Sequence, residues 1–325
     1  MKIVFRSLLL AATLGATPLT WALDVPGPVV DGAWLASHRA EVTVLDVRNN
    51  AKSFTVDPQF ETDAKTGKKF MVELGGHIDG ATLVDNRKVR VERMIDGRKL
   101  VGMIPERADF EKLVRGWGVQ AGRPVVIVSA GLEPMDFNDA ARLYWQFKVY
   151  GEDNLAVLNG GTTAWIAEGR EVVTKAQVAA EGNWSAKADR TAELNATLQD
   201  VQQAVASKSQ IVDAREPAFY LGLSKPGTVA AFGHVPGARD VPTTLMSTPG
   251  GDAARLMNAS TYRDIFKMSG VDPQAPTVAY CNTGHQASGV WFVMHEVLGN
   301  KNAKLYDGSM HEWTMAKQPM ESVAR

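Results

Sequence analysis

One cysteine stands in the 325-residue chain, Cys281, and its surroundings have the makings of a nucleophilic site. The segment reads Tyr280-Cys281-Asn282-Thr283-Gly284-His285-Gln286-Ala287-Ser288. A lone cysteine cannot close an internal disulfide, so by type alone it is either an inert buried side chain or a reactive thiol. Its position favours the thiol. An apolar strand-like run, Thr277 to Tyr280, precedes it, and an amphipathic helical stretch, Ser288 to Leu298, follows. Ligands of open α/β sheets bind outside the carboxyl ends of the strands, which is where Cys281 falls. Backbone N–H groups in a tight loop ahead of a helix form an anion-binding concavity, and Gly284 lets the chain turn with positive φ. Such a cradle stabilises a thiolate. It would also hold a persulfide, whose outer sulfur would accept charge-assisted hydrogen bonds of about 1.5–3 kcal/mol each. Cys281 is therefore the candidate nucleophile, and Asn282, Thr283, Gly284, His285, Gln286, Ala287 and Ser288 form the candidate binding loop. His285 could add a donor or a positive charge.

The elements that must position this loop occur twice. Val42-Thr43-Val44-Leu45 runs into Asp46-Val47-Arg48, and Gln210-Ile211-Val212 runs into Asp213-Ala214-Arg215. Each is followed by a Gly-His turn, at Gly76-His77 and Gly233-His234, and then by a helical stretch, Ala108 to Trp117 and Ser260 to Ser269. Next come the apolar runs Pro124 to Val128 and Thr277 to Tyr280, the helical stretches Asn138 to Tyr150 and Ser288 to Leu298, and the short strands Leu155 to Leu158 and Ala303 to Tyr306. Each half closes on a Gly turn and a tryptophan, Gly160 with Trp165 and Gly308 with Trp313. Short apolar strands alternating with helices predict mostly parallel sheets with helices on both faces. The expected fold is thus α/β, with two such domains, 24–175 and 194–325, joined by the polar, aperiodic stretch 176–193. The first half carries an extra segment, Ala51 to Gly75, in which Thr66-Gly67-Lys68-Lys69 looks like a hairpin turn. Asp96-Gly97 is a second hairpin signal. The first-half counterpart of the cysteine loop reads Ser129-Ala130-Gly131-Leu132-Glu133, with Ala130 expected at the cysteine position.

Composition bounds the function. The chain has 35 basic and 36 acidic residues and no long basic run, so nothing points to nucleic acid. Lys2 and Arg6, the apolar stretch Leu8 to Leu19, and Thr20-Trp21-Ala22 read as a cleaved secretory signal over 1–22. The apolar stretch is too short to span a bilayer comfortably. The expectation is a periplasmic mature protein without a membrane anchor. No phosphate loop, dinucleotide fingerprint or paired metal-ligand spacing appears, so no cofactor or metal is expected.

These motifs make the chain resemble the rhodanese family, in particular its exported, tandem-domain members. The resemblance spans about Pro28 to Pro319 and rests on the Cys-x-x-Gly-x-x-Ala loop (Cys281, Gly284, Ala287), the two Asp-x-Arg strand ends, the two Gly-His-x-x-Gly-Ala turns and the two Gly-x-x-x-x-Trp endings. It implies two rhodanese-like domains, the first non-catalytic, and a ping-pong sulfur transfer through a persulfide on Cys281. The implied donor is a small sulfur-containing anion, thiosulfate or 3-mercaptopyruvate, and the acceptor is cyanide, a thiol or a sulfur-relay protein. Asp213 and Arg215 match family positions that support the loop, and mercaptopyruvate relatives place a histidine like His77 near the cleft. The sequence departs from the family in two ways. Phe219 stands where an arginine usually binds the donor, and Asn282 and Thr283 replace the basic residues of thiosulfate-type loops. The missing arginine leaves open a persulfide carrier that serves one protein partner. A phosphatase, whose loop of the Cys-x5-Arg type would need an arginine at Ala287, is excluded.

Overall fold

The computed structural model describes residues 23–248 and 252–323; the expected export signal lies outside them. Among the described residues the chain forms two five-stranded sheets, and the strands within each are parallel. In space the first sheet runs Val29–Val30, Leu155–Leu158, Val125–Val128, Thr43–Arg48, Thr82–Asp85. The second repeats that order with Asn195–Ala196, Ala303–Tyr306, Thr277–Tyr280, Gln210–Asp213, Arg239–Asp240. The central strands are buried on both faces, which is why they read as unbroken apolar runs rather than alternating ones.

Both faces of each sheet are covered. In the first domain Leu45, Val47 and Ile127 face helices Arg107–Gly116 and Phe137–Val149, while Val44, Val126 and Val128 pack in a second cluster with Leu35 and Trp165. In the second domain Val212 and Leu305 share a core with Tyr262, Phe266 and Trp291, and Ile211 and Tyr306 pack with Val201, Met310 and Trp313. The two tryptophans that end the repeats play one part: Trp165 Nε1 donates to the Glu171 carbonyl at 2.8 Å and Trp313 Nε1 to the Pro319 carbonyl at 2.9 Å.

One core cluster crosses from domain to domain. Helix Phe137–Val149 lies against its counterpart Gln286–Phe292, with the Phe292 ring edge-on to Phe137 and Tyr144 at 5.3 and 4.8 Å. Gly289 permits the approach, because a Cβ there would lie 2.3 Å from Asn138 Oδ1. The stretch 176–193 contains α-helix only from Thr191 and no strand, yet it is not a solvated tether. It straps onto the first domain: Trp184 is fully buried against Phe110 and Phe147, and the Gly182, Lys187 and Arg190 N–H groups donate to first-domain carbonyls. Both hairpins form. Gln59–Thr62 pairs with Lys69–Glu73, and Val91–Ile95 with Arg98–Met103, turning through Asp96 and Gly97 at φ 47° and 75° as a two-residue I′ turn demands. Among the described residues no helix is long and apolar enough to cross a membrane.

Candidate active site

Cys281 follows directly on strand Thr277–Tyr280 and is 1% exposed. Its loop is held from three sides. From below, Tyr280 donates its hydroxyl to Asp213 Oδ2 at 2.7 Å and receives the Val235 N–H at 3.1 Å; burial, then Asp213, pushes that phenol well above its ordinary pKa. From the last helix of its own domain, Ser309 Oγ accepts the Cys281 and Gly284 N–H groups at 3.1 and 3.0 Å and donates to the Tyr306 carbonyl. Ser309 adopts φ 49°, a costly conformation for a residue other than glycine. From the first domain, Arg142 Nη1 donates to the Gly284 carbonyl at 3.0 Å and to Asp307 Oδ1 at 2.6 Å. Both ends of that ion pair are completely buried. Asp307 Oδ2 also receives the Ile104 N–H at 2.8 Å, pinning the base of the second hairpin.

Among the described residues no protein acceptor receives the N–H groups of Asn282, Thr283, His285, Gln286 or Ala287. The start of helix Gln286–Phe292 leaves its first amides free, as any helix does. Gly284 has φ 74°, and a Cβ there would lie 2.6 Å from Asp307 Oδ1, 2.8 Å from Arg142 Nη1 and 2.8 Å from the Asp307 carbonyl oxygen. Gly284→Ala therefore meets both a backbone and a steric penalty, each about 1–3 kcal/mol. A lowered urea midpoint and a fall in turnover are expected; an unchanged midpoint would mean that the loop relaxes at no cost.

Of the remaining loop residues, Ala287 and Ser288 are buried, Ser288 Oγ donates to the His285 carbonyl, and Gln286 reaches Met135 sulfur at 4.0 Å. Thr283 Oγ1 faces Arg90 of the first domain. His285 does not bring positive charge. Its Nε2–H donates to Asp139 Oδ1 at 2.8 Å, and Asp139 also receives Asn49 and Asn86 amides at 2.7 Å. Burial, the dominant influence, pulls the His285 pKa below the ordinary histidine value; Asp139 opposes this, and Arg90 and Arg142 reinforce it. The imidazole is thus neutral at pH 7. Below about pH 6.5 the unfolded chain takes up a proton that the folded one refuses, so stability falls with pH until the folded pKa is passed. His285→Gln is expected to remove that part of the stability-versus-pH slope, measured as the difference from the parent chain between pH 7 and 5; parallel curves would refute the assignment.

Asp213 and Arg215 form a buried bidentate pair, Nε to Oδ1 at 2.9 Å and Nη2 to Oδ2 at 2.6 Å. The pair holds Tyr280 and the Gly233 carbonyl rather than the cysteine loop itself. Asp46 and Arg48 repeat it, with Arg48 on the Gly76 carbonyl. His77 braces its turn and does not take the cleft position that the resemblance implied. It is buried in the first domain, stacked 3.5 Å from Phe54 and bonded to the Phe54 carbonyl, just as His234 stacks on Tyr220 and bonds its carbonyl. Both histidines brace their turns, and none of the partners of His77 belongs to the cysteine loop.

The alignment of the two loops also needs correcting by one residue. Asp46 pairs in register with Val128, and Asp213 with Tyr280, so the counterpart of Cys281 is Ser129, not Ala130. The first-domain loop is closed by its own carboxylate. Asp136 Oδ2 accepts the Leu132 and Glu133 N–H groups at 2.9 and 3.0 Å. Beside it the Ala51 to Gly75 excursion walls a cavity of about 380 Å³ that includes Arg48, Lys52, Ala130, Asp136 and Asp139.

Two parallel sheets in one strand order, and a lone cysteine in an amide-rich loop at the end of the second, define a tandem rhodanese-type protein. Residues 196–316 match the Rhodanese-like domain. A putative thiosulfate sulfurtransferase of Haloferax volcanii is 32% identical over 212 residues, covering 64% of this chain and 71% of the relative. The 3-mercaptopyruvate sulfurtransferase of Escherichia coli K12 is 28% identical over 300 residues, 90% of this chain and 98% of the relative. The crystal structure of SseA from Escherichia coli superposes with a TM-score of 0.69 at 24% identity, covering 87% of this chain and 98% of that one. The chain belongs to the rhodanese-like family and, within it, to the two-domain sulfurtransferases.

Proposed function

We propose that the protein moves a sulfane sulfur from a small anionic donor of the thiosulfate type to a thiophilic acceptor, cyanide or a thiol, through a persulfide on Cys281. The observation that carries this is a nearly inaccessible thiol in a loop where the amides of Asn282, Thr283, His285, Gln286 and Ala287 meet no protein acceptor among the described residues. In the first step the Cys281 thiolate attacks the outer sulfur of thiosulfate; the new S–S bond forms as the donor's S–S bond breaks, and sulfite leaves with the bonding pair. The persulfide then gives its outer sulfur to cyanide, forming thiocyanate and restoring the thiolate. Charge is conserved in both steps, and neither needs a redox partner. The loop amides offset the negative charge throughout.

With 3-mercaptopyruvate the C–S bond breaks instead, the thiol proton passes to carbon and pyruvate departs. The Thr283 hydroxyl at the loop favours this second reading. Burial of Cys281 favours small-molecule donors over a carrier role, because a partner protein's sulfur would need a wider opening. Intact mass decides among them. A gain of about 32 Da with thiosulfate, removed by cyanide, is the expected result. A gain with 3-mercaptopyruvate alone changes the donor, and no gain with either moves the function to a carrier loaded by a partner protein. The site of action proposed is the periplasm, after removal of residues 1–22; support comes from the charged start and apolar run of that segment. Mature chains from a periplasmic extract should begin near Leu23, and retention of Met1 in the cytoplasm would refute it.

A further inference from the structure

Among the described residues, the catalytic domain offers no free cation at its own cysteine loop. Arg215 is taken by Asp213, Phe219 stands at the family's arginine position, and residues 282 and 283 are uncharged. Arg142, reaching in from the first domain, is taken by Asp307. Arg90 is different. It also comes from the first domain, where it follows the short helix Asn86–Val89 and leads into the second hairpin. Its guanidinium has no carboxylate partner among the described residues, its Nε is buried without any partner, and its one hydrogen bond is a long contact of 3.4 Å from Nη1 to Thr283 Oγ1.

The head group is nonetheless held in place. Gln146 donates to the Val89 carbonyl at 2.9 Å, fixing the backbone just before it, and the Ile104–Asp307 bond fixes the far end of the hairpin. Gly102, at φ 79°, brings the hairpin backbone against the same spot: a Cβ there would lie 3.2 Å from Arg90 Nη1 and 3.2 Å from Thr283. Burial and the neighbouring Arg142 weaken the hold of Arg90 on its proton, whereas a Cys281 thiolate strengthens it. A partly buried, pre-positioned guanidinium without a carboxylate partner costs stability that an arriving anion offsets.

We propose that Arg90 is the donor-binding cation of this enzyme, supplied across the domain interface to hold the oxyanion group of the incoming donor beside Cys281. This deepens the sulfur-transfer reading and rests on it for the identity of the donor. Donors whose transferable sulfur lies close to an anionic oxo group are then preferred over neutral polysulfides. As sulfite leaves, Arg90 faces the charge that collects on its oxygens.

The test uses Arg90→Met, which keeps the apolar stem, and Arg90→Lys, which keeps a charge. Cys281 is alkylated in each full-length chain with anionic iodoacetate and with neutral iodoacetamide, and the ratio of the two rates is taken. The ratio cancels changes in thiol ionisation, since both reagents need the thiolate. A drop of about tenfold in the ratio for Arg90→Met, with partial recovery in Arg90→Lys, is expected for loss of one charge contact in a partly buried site. Thermal stability of Arg90→Met should equal or exceed that of the parent. An unchanged ratio, or a ratio that falls only together with stability, would overturn the proposal. The alkylation ratio does not depend on sulfur transfer: if it falls while thiosulfate fails to load Cys281, the donor reading fails and Arg90 as an anion site stands.

Discussion

Replacing Cys281 with serine is expected to abolish sulfur loading and turnover together. The hydroxyl fits the same space but does not ionise near neutral pH, so no nucleophile faces the donor. The cost to the fold is small, about 1–3 kcal/mol for placing a hydroxyl in this nearly dry position. Intact mass should show no sulfur gain with thiosulfate, while urea unfolding remains a single cooperative transition. Residual loading would place the nucleophile elsewhere, and since the chain has no second cysteine, the persulfide mechanism would fall with it.

The second large effect is on stability. Asp307→Ala removes the only carboxylate that pairs with Arg142 among the described residues, and it also strands the Ile104 N–H. Breaking a buried pair by deleting one partner costs about 3–5 kcal/mol, because the remaining charge stays buried. Arg142 would then hold the Gly284 carbonyl without its own restraint, so activity should fall even under conditions where the variant remains folded. Asp307→Asn keeps shape and one acceptor and should lie between the parent and Asp307→Ala. Urea midpoints followed by far-UV circular dichroism and tryptophan fluorescence would measure this. A loss below about 1 kcal/mol would show that water reaches Arg142 and that the pair is worth no more than a surface bridge.

Much of this architecture was legible in the order of residues. Parallel strands advertise themselves as short Val/Ile/Leu runs, and the repeat fixes their order because each half constrains the other. Cys281 and Gly284 were legible because their signals are local. What was not legible came from far along the chain. Arg142 lies 142 positions from Gly284, and His285 lies 146 from Asp139. A signal for them was available: helix Phe137–Val149 is almost wholly buried yet carries Asn138, Asp139, Arg142 and Gln146, and polar groups on a core helix need partners somewhere. Ser309 had a signal too. Its counterpart in the first half is Gly161, at φ 60°, and a serine in that left-handed position is retained for what its hydroxyl does. The misplacement of Ala130 arose because loop similarity tolerates a shift of one residue, whereas strand register does not. For His77 the sequence left a turn brace and a cleft residue both open, because the two look the same in sequence, and the structure shows the brace.

The carboxylate of Asp136, lodged on the amides of the first-domain loop, sets the valence of the molecule. Ser129 differs from a cysteine by a single atom, yet restoring that sulfur would not create a second station, because the neighbouring amides already hold an anion of the chain's own. The duplication has separated two tasks. One copy leaves its loop amides without a protein acceptor among the described residues and does the chemistry; the other has closed its loop with Asp136 and become a wall that lends Arg90, Asp139 and Arg142 to its sibling. Each chain therefore carries one sulfur at a time, and the intact protein has no internal hand-off to lose it to.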